Sequence, residues 1–523
     1  MRRPVRRPPR VLVSAAIVVA ALALVPFVYL IVRALGADDD ALRLAFRGRT
    51  LELLVNTLGL SVAVGVGAAA IGVPTGWLTA RTDIPGRRLL AILVVVPLAI
   101  PSYVLAFALI GTLGPRGLLS QLLAPFGVDA IPSFYGFPGA ALVLILATYP
   151  YVTLAVRAAL GRSDAGLDEA ARTLGATPWQ AFRRVTVPVL LPAVTGGALL
   201  AVLYALADFG SVSLLQFDSF ARAIYVAYRA GFDRSLAAVL ALMLAGLALT
   251  LAIVEAWSRG RRPQSVARTR ARPAPLVRLG RWRWPAAAFC TAVVGMALLL
   301  PVVTLTGWLV NGLANGEPLR PVGELAVNTL LAGAAAAVIA VLFAIPVSVL
   351  AVRWPRPSTR LLEAASFSTY ALPGIVVALA VVFLATGAVP ALYQTFGLLV
   401  VAYAVRFLPQ AVAPAREGIA RVSPRIEEAA RMLGRSQRAA FSEVTLPLIR
   451  PGLAAAAALV FLTTVKELPM TLILSPTGFR TLATSVWSSV GEGFYARAAA
   501  PGLLLIVVSI VGVFLLLRSE ERP

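Results

Sequence analysis

The chain has 523 residues, of which 59% are apolar and 14% charged, against about 45–50% and about 25% in ordinary soluble domains. So much apolar sequence excludes a soluble enzyme, and it equally excludes a disordered scaffold. At about 20 residues per bilayer-spanning helix it is enough for about a dozen spans. The class is a multi-pass membrane protein. A net charge of +23 does not point to nucleic acid, because no basic stripe with interleaved aromatic residues is present.

Hydropathy places the first six spans near 11–35, 54–80, 89–113, 138–156, 189–207 and 235–257. The second six fall near 285–310, 326–352, 361–386, 396–412, 451–474 and 499–517. With both termini in the cytoplasm, the excess of arginine falls in the inward loops, as the positive-inside rule requires. Arg2, Arg3, Arg6, Arg7 and Arg10 precede an apolar run that reaches Val32. That run is too long for a signal-peptide core and no small-x-small cleavage site follows it, so it reads as a retained first span.

Absences narrow the chemistry further. There is no histidine, which removes imidazole acid–base catalysis and metal ligation. Cys290 is the single cysteine, so neither an intrachain disulfide nor a thiolate cage is available. Lys466, the single lysine, is flanked by Val465 and Glu467, which is not the context of a phosphate-binding P-loop. ATP-driven work therefore requires a partner, and no metal site is assigned.

The two sets of spans are copies. Asn56-Thr57-Leu58 recurs as Asn328-Thr329-Leu330, 272 positions later, and Pro74, Arg81 and Pro101 match Pro346, Arg353 and Pro373 at the same offset. Beyond an insertion placed around Gly114–Gly136 the offset falls to 259, pairing Pro150 with Pro409. Six spans per copy make the repeats parallel. The organisation is a first half over 1–257, an Arg/Pro-rich cytoplasmic linker over 258–284, and a second half over 285–523.

The strongest motif joins the fourth and fifth spans of each half, over 163–188 and 422–447. One copy holds Glu169-Ala170-Ala171 with Gly175 and Pro188, the other Glu428-Ala429-Ala430 with Gly434 and Pro447. Each reads as a helix, a break and a second short helix. Gly175 and Gly434 suit the left-handed position that closes a helix, and Thr177, Pro178 and Gln180 have the order of a capping box. Pro188 and Pro447 are expected to stop the second helix before the next span. A lone carboxylate beside two small side chains lets another backbone approach closely.

This pattern resembles the Glu-Ala-Ala coupling loop of permease subunits in binding-protein-dependent ATP-binding-cassette importers. Both copies keep the spacing to the closing proline, with Val185 and Val444 for the usual Ile and Val187 for Leu. The resemblance covers nearly the whole chain. Two fused halves, and the stretches Ala207–Leu215, Val465–Leu472 and Phe479–Thr484, are similar to the ferric-ion type, with thiamine or an organophosphonate left open as cargo. It implies an all-α type I importer permease fold of about twelve transmembrane helices in the cytoplasmic membrane of a bacterium. It also implies two copies of an ATPase subunit holding ATP and magnesium, an extracytoplasmic solute-binding protein, and no cofactor on this chain. A secondary transporter with parallel repeats is the distant alternative, disfavoured because no acidic residue falls at mid-span.

The 259 offset also makes Asp208 and Glu467 symmetry mates. They are expected either to line the external mouth and attract a hard cation through oxygen ligands, or to serve as local pairing devices at helix ends. Asp218 and Lys466 are weaker pathway candidates.

Overall fold

The computed structural model describes residues 8–115, 117–127, 133–162, 173–175, 177, 180, 182–230, 234–260, 276–317 and 322–520. In the first half the main helices are α1 (Arg10–Leu35), α2 (Gly48–Arg81), α3 (Ser102–Leu113), α4 (Phe137–Arg162) and α5 (Val187–Ala207). After them come two short helices, α6 (Gly210–Leu214) and α7 (Phe220–Ala230), then α8 (Ser235–Gly260). The second half repeats the series. It runs through α9 (Arg283–Val294), α10 (Leu300–Ala314), α11 (Val322–Arg353), α12 (Gly374–Ala388), α13 (Phe396–Arg406) and α14 (Leu408–Arg421). It ends with α15 (Pro424–Met432), α16 (Leu446–Val465), α17 (Pro469–Leu474), α18 (Leu482–Gly491) and α19 (Tyr495–Glu520).

Among the described residues ten helices are long and apolar enough to cross a bilayer, or eleven if α13 and α14, bent by 56°, form one span. The expected spans 89–113 and 361–386 are not continuous helices. The first breaks into Arg87–Leu93, a 3-10 turn at Val96–Ala99 and α3; the second into Pro357–Phe367, a turn at Ser368–Ala371 and α12. Pro97, Pro101 and Pro373 are the cause, since a proline offers no amide and drives the residue before it out of the helical region. The expected span 451–474 likewise ends at Val465 and restarts as α17.

Pro188 and Pro447 do not stop a helix, contrary to the sequence expectation. Each sits in the first turn of a long span, α5 or α16, directly after a π-helical turn at Phe182–Thr186 or Phe441–Thr445. A third such turn, Gly295–Leu299, precedes Pro301 in α10. A proline ring collides with the carbonyl four residues back. Widening the preceding turn to the i→i+5 pattern clears that carbonyl and lets the helix continue.

The chain folds as two compact units that do not follow the repeat boundaries. One comprises Phe46–Ala223 with Gly246–Glu317, the other Met1–Ala45, Ile224–Ala245 and Pro318–Pro523. Within the former, α2, α4 and α5 pack on one another, and α10 lies against α3. Trp308 of α10 stacks on Phe107 with ring centroids 4.6 Å apart, and Thr304 bonds Thr112 at 2.8 Å. The remainder of the linker is tied down here as well: Val277 bridges Thr82, and Leu279 donates to Asp83 at 2.9 Å. Within the latter unit, α11, α14 and α16 form the corresponding core, and α1 packs against α11, α12 and Pro357–Phe367. Arg33 lies 5.5 Å over the Phe383 ring. The first span of each half is thus packed with helices of the other copy.

Small residues set the helix spacing. A methyl group on Gly72 would lie 2.6 Å from Val152 Cβ and 2.8 Å from the Tyr149 carbonyl, and one on Gly76 would meet the Thr153 carbonyl at 3.0 Å. These two glycines form a Gly-x-x-x-Gly face that lets backbones approach where lipid offers no hydrophobic driving force. Thr75 and Thr153 share a hydrogen bond of 2.8 Å beside them. Gly72→Leu is expected to cost about 1–3 kcal/mol of stability through overpacking, read as a lowered unfolding temperature of the purified chain in detergent. Gly59→Leu, at a position with open space around it, should leave that temperature unchanged.

Candidate functional site

The second motif segment is a helix, a break and a short helix, as expected. Ser423 caps α15 by accepting from the Arg425 amide. At the other end the Arg435 amide reaches the Ala430 carbonyl at 3.2 Å and the Gly434 amide reaches Arg431 at 3.0 Å, the Schellman closure that requires a left-handed residue. Gly434 supplies it with φ +86°. Gly175 matches it at φ +88° in the first copy, where Thr177 and Gln180 exchange bonds of 3.0 and 3.3 Å as a capping box. Glu169, Ala170 and Ala171 lie outside the described residues, as does Pro178.

Glu428 and Ala429 are exposed and Ala430 half-buried. Beside them Met432 is 89% and Leu433 85% exposed, and Leu174 is 88% exposed in the first copy. Apolar side chains this bare on a polar, arginine-rich turn are not lipid-facing span residues. They form the kind of surface that a protein partner covers.

Asp208 and Glu467 occupy matching places and are both buried. Asp208 Oδ1 accepts from the Ser211 amide at 3.0 Å, the Ser211 hydroxyl at 2.5 Å and the Val212 amide at 3.4 Å, which caps α6. Its Oδ2 accepts from the hydroxyl of Ser102, the first residue of α3. Glu467 Oε1 accepts from the Met470 amide at 3.3 Å and caps α17 in the same register. Its Oε2 pairs with Arg406 at 2.6 Å. The remaining site of each carboxylate therefore differs between copies. By the repeat offsets Ser102 corresponds to Gly374 and Ala147 to Arg406. A methyl group at Gly374 would collide with both the Arg406 guanidinium and the Glu467 carboxylate. One copy closes the niche with a hydroxyl; the other empties it for a guanidinium. The oxygens of both carboxylates are occupied by these partners, at the starts of α6 and α17.

The weaker candidates lie apart from these niches. Asp218 is exposed and pairs with Arg222 at 2.7 Å within its own turn, and Lys466 is the residue that ends α16. No group of three or more Cys, Asp or Glu residues able to hold a metal is present among the described residues.

A set of residues that carried no role in the sequence reading proves to be structural in both copies. Asn56 donates to the Asp218 carbonyl at 3.1 Å and Thr57 accepts from the Phe220 amide at 3.1 Å. Asn328 donates to the Arg480 carbonyl at 3.0 Å and Thr329 accepts from the Leu482 amide at 2.9 Å. The repeated Asn-Thr pair pins the start of α7 and of α18 to the second span. Its recurrence was the available signal; the partner was not visible without the fold.

A family model described as binding-protein-dependent transport system inner membrane component matches residues 72–262 and 336–522. The chain is 31% identical over 521 residues to the Fe(3+)-transport system permease protein FbpB 2 of Haemophilus influenzae, covering 98% of each. It is 26% identical to the ferric transport system permease protein FbpB of Actinobacillus pleuropneumoniae, over 90% of this chain and 72% of that one. Identity to the molybdenum transport system permease protein ModB of Escherichia coli is 34%, over 29% of this chain and 67% of the relative.

Arg406→Met leaves Glu467 buried without its cation and is expected to cost about 3–5 kcal/mol, the usual penalty for breaking a buried pair. Arg406→Met with Glu467→Gln should recover a large part of that loss. Thermal unfolding of the purified variants in detergent checks both.

Proposed function

The chain belongs to the binding-protein-dependent transport system inner membrane component family, and we propose that as an importer permease it passes ferric iron inward. The iron is delivered by an extracytoplasmic binding protein, and the drive comes from two ATPase subunits that carry the ATP and magnesium. The observation that carries the coupling is the exposed Glu428-Ala429-Ala430 turn with Met432 and Leu433 bare beside it. A carboxylate sets the register of a partner, small residues admit its backbone, and the apolar pair supplies the contact area. The linker and both termini lie on the ATPase side in this reading, which the arginine distribution supports.

Transport follows by alternating access. ATP needs only to favour one of two arrangements of the permease, and its differential binding supplies the bias. In this reading Asp208 and Glu467 are fixed bearings that hold the breaks after the fifth spans, because their oxygens already have partners. Asp218, exposed but paired with Arg222, is the weaker candidate for meeting an approaching cation. Ferric iron is favoured as cargo because relatives that match over most of this chain are named for it. The molybdenum relative matches over under a third.

Glu169→Arg with Glu428→Arg should leave the chain in the membrane, reduce co-purification of the ATPase subunits and abolish ATP-dependent uptake. Uptake at the normal rate removes the coupling role. Deletion of the chain at limiting iron should abolish uptake of radiolabelled ferric iron, and excess thiamine should not compete. Unchanged ferric uptake in cells without a second iron system overturns the cargo and directs the assay to thiamine and organophosphonates.

A further inference from the structure

The carboxylate directly before Glu428 does not share its exposure. Glu427 Oε1 accepts from Arg353 Nη2 at 3.1 Å and from Thr445 Oγ1 at 2.5 Å. Arg353 is the last residue of α11, and Thr445 ends the π-turn that opens α16. One oxygen therefore joins three chain segments that are separated by 74 and 18 residues. The side chains of Arg353 and Glu427 are 10% and 29% exposed, which protects the pair from much of the screening that weakens surface ion pairs. Adjacent residues on a helix point about 100° apart, so Glu427 faces the spans while Glu428 faces outward.

The knot has a rigid backing. Val349, Ile419, Val422 and Ile449 form a buried cluster drawn from α11, the end of α14 and α16, and Trp354, Phe441 and Leu446 pack against it. Arg353 lies next to Trp354 in the chain and Thr445 next to Leu446, so the polar contacts form one edge of this apolar core.

We propose that Glu427, Arg353 and Thr445 form a transmission clamp that makes α15 move as one body with the second and fifth spans of its half. They are positioning residues: Glu428 and its neighbours meet the ATPase, while the clamp carries the displacement into the membrane. The inference rests on the coupling role proposed for α15. The same residue types recur in the first copy, Arg81 at the 272 offset and Thr186 at the 259 offset.

The test uses the full complex of this chain, its ATPase subunits and its binding protein in proteoliposomes, with ferric iron as cargo. Glu427→Gln and Arg353→Gln should each retain ATPase subunits at wild-type stoichiometry and keep basal ATP hydrolysis. Iron moved per ATP should fall about tenfold, a typical size for coupling between distant sites. Stimulation of hydrolysis by the binding protein should be lost in parallel. The swapped pair Arg353→Glu with Glu427→Arg should restore much of the coupling that Glu427→Arg alone removes. Normal iron per ATP in both single variants overturns the clamp, as does a swapped pair no better than Glu427→Arg. Loss of ATPase subunits from Glu427→Gln overturns it too, by making Glu427 a docking residue. If the wild-type complex shows full stimulation but moves no iron, the ferric cargo fails, and the clamp is still decided by the stimulation readout.

Discussion

A helix that breaks inside a bilayer has no water to satisfy its free backbone groups, so the protein must answer each break with its own atoms. Two buried carboxylates meet this constraint. Asp208 takes the amides that open α6 and the hydroxyl at the start of α3; Glu467 takes the amide that opens α17. Negative charge at a helix start is further favoured by the helix dipole. The proline-broken third span and the end of the fifth span thus meet at one carboxylate in the first copy. The helices that follow, α7 and α18, are then held by the Asn56-Thr57 and Asn328-Thr329 pins. The path of the chain between fifth and sixth spans depends on these few contacts.

The duplication solved this problem twice with different chemistry. In the first copy Ser102 completes the niche and Ala147 leaves it small. In the second, Gly374 vacates the space and Arg406, at the C-terminal end of α13, fills it with a charge that suits that helix end. Each exchange alone would be destructive. A side chain at Gly374 collides with the guanidinium, and a buried carboxylate that loses its cation is costly. The two copies have therefore diverged by compensated pairs, while the carboxylate and its i→i+3 amide bond have stayed.

The coupling surface follows a complementary logic. Its outward face keeps Met432 and Leu433 bare, while its inward face is tied by Glu427 to Arg353 and Thr445. Adhesion to a partner and transmission to the spans are thereby assigned to neighbouring residues on different faces of one short helix. The π-turn before Pro447 belongs to the same arrangement, because it keeps α16 continuous with the short helix Gln437–Ala440 that follows the break.

The class, the duplication and the helix, break and short helix of the second motif segment were legible in the residues themselves. They depend on composition, on identities at constant offsets and on local turn chemistry, such as the left-handed glycines and the Thr177–Gln180 box, all of which are properties of contiguous sequence. Three features were not. Pro188 and Pro447 looked like helix stops, since a π-turn that absorbs the proline clash leaves no residue signature of its own. The spans 89–113 and 361–386 looked continuous, since hydropathy does not register the breaks that Pro101 and Pro373 impose. The compact units cut across the repeats, because α1 and α10 find their packing partners in helices of the other copy. The residue pattern determined which segments are long and apolar enough to cross a membrane and where the repeated Glu-Ala-Ala segment lies. Which helix lies against which, and which residue fills the remaining place at Asp208 and Glu467, was decided only by tertiary packing, because Ser102 and Arg406 lie far from them in the chain.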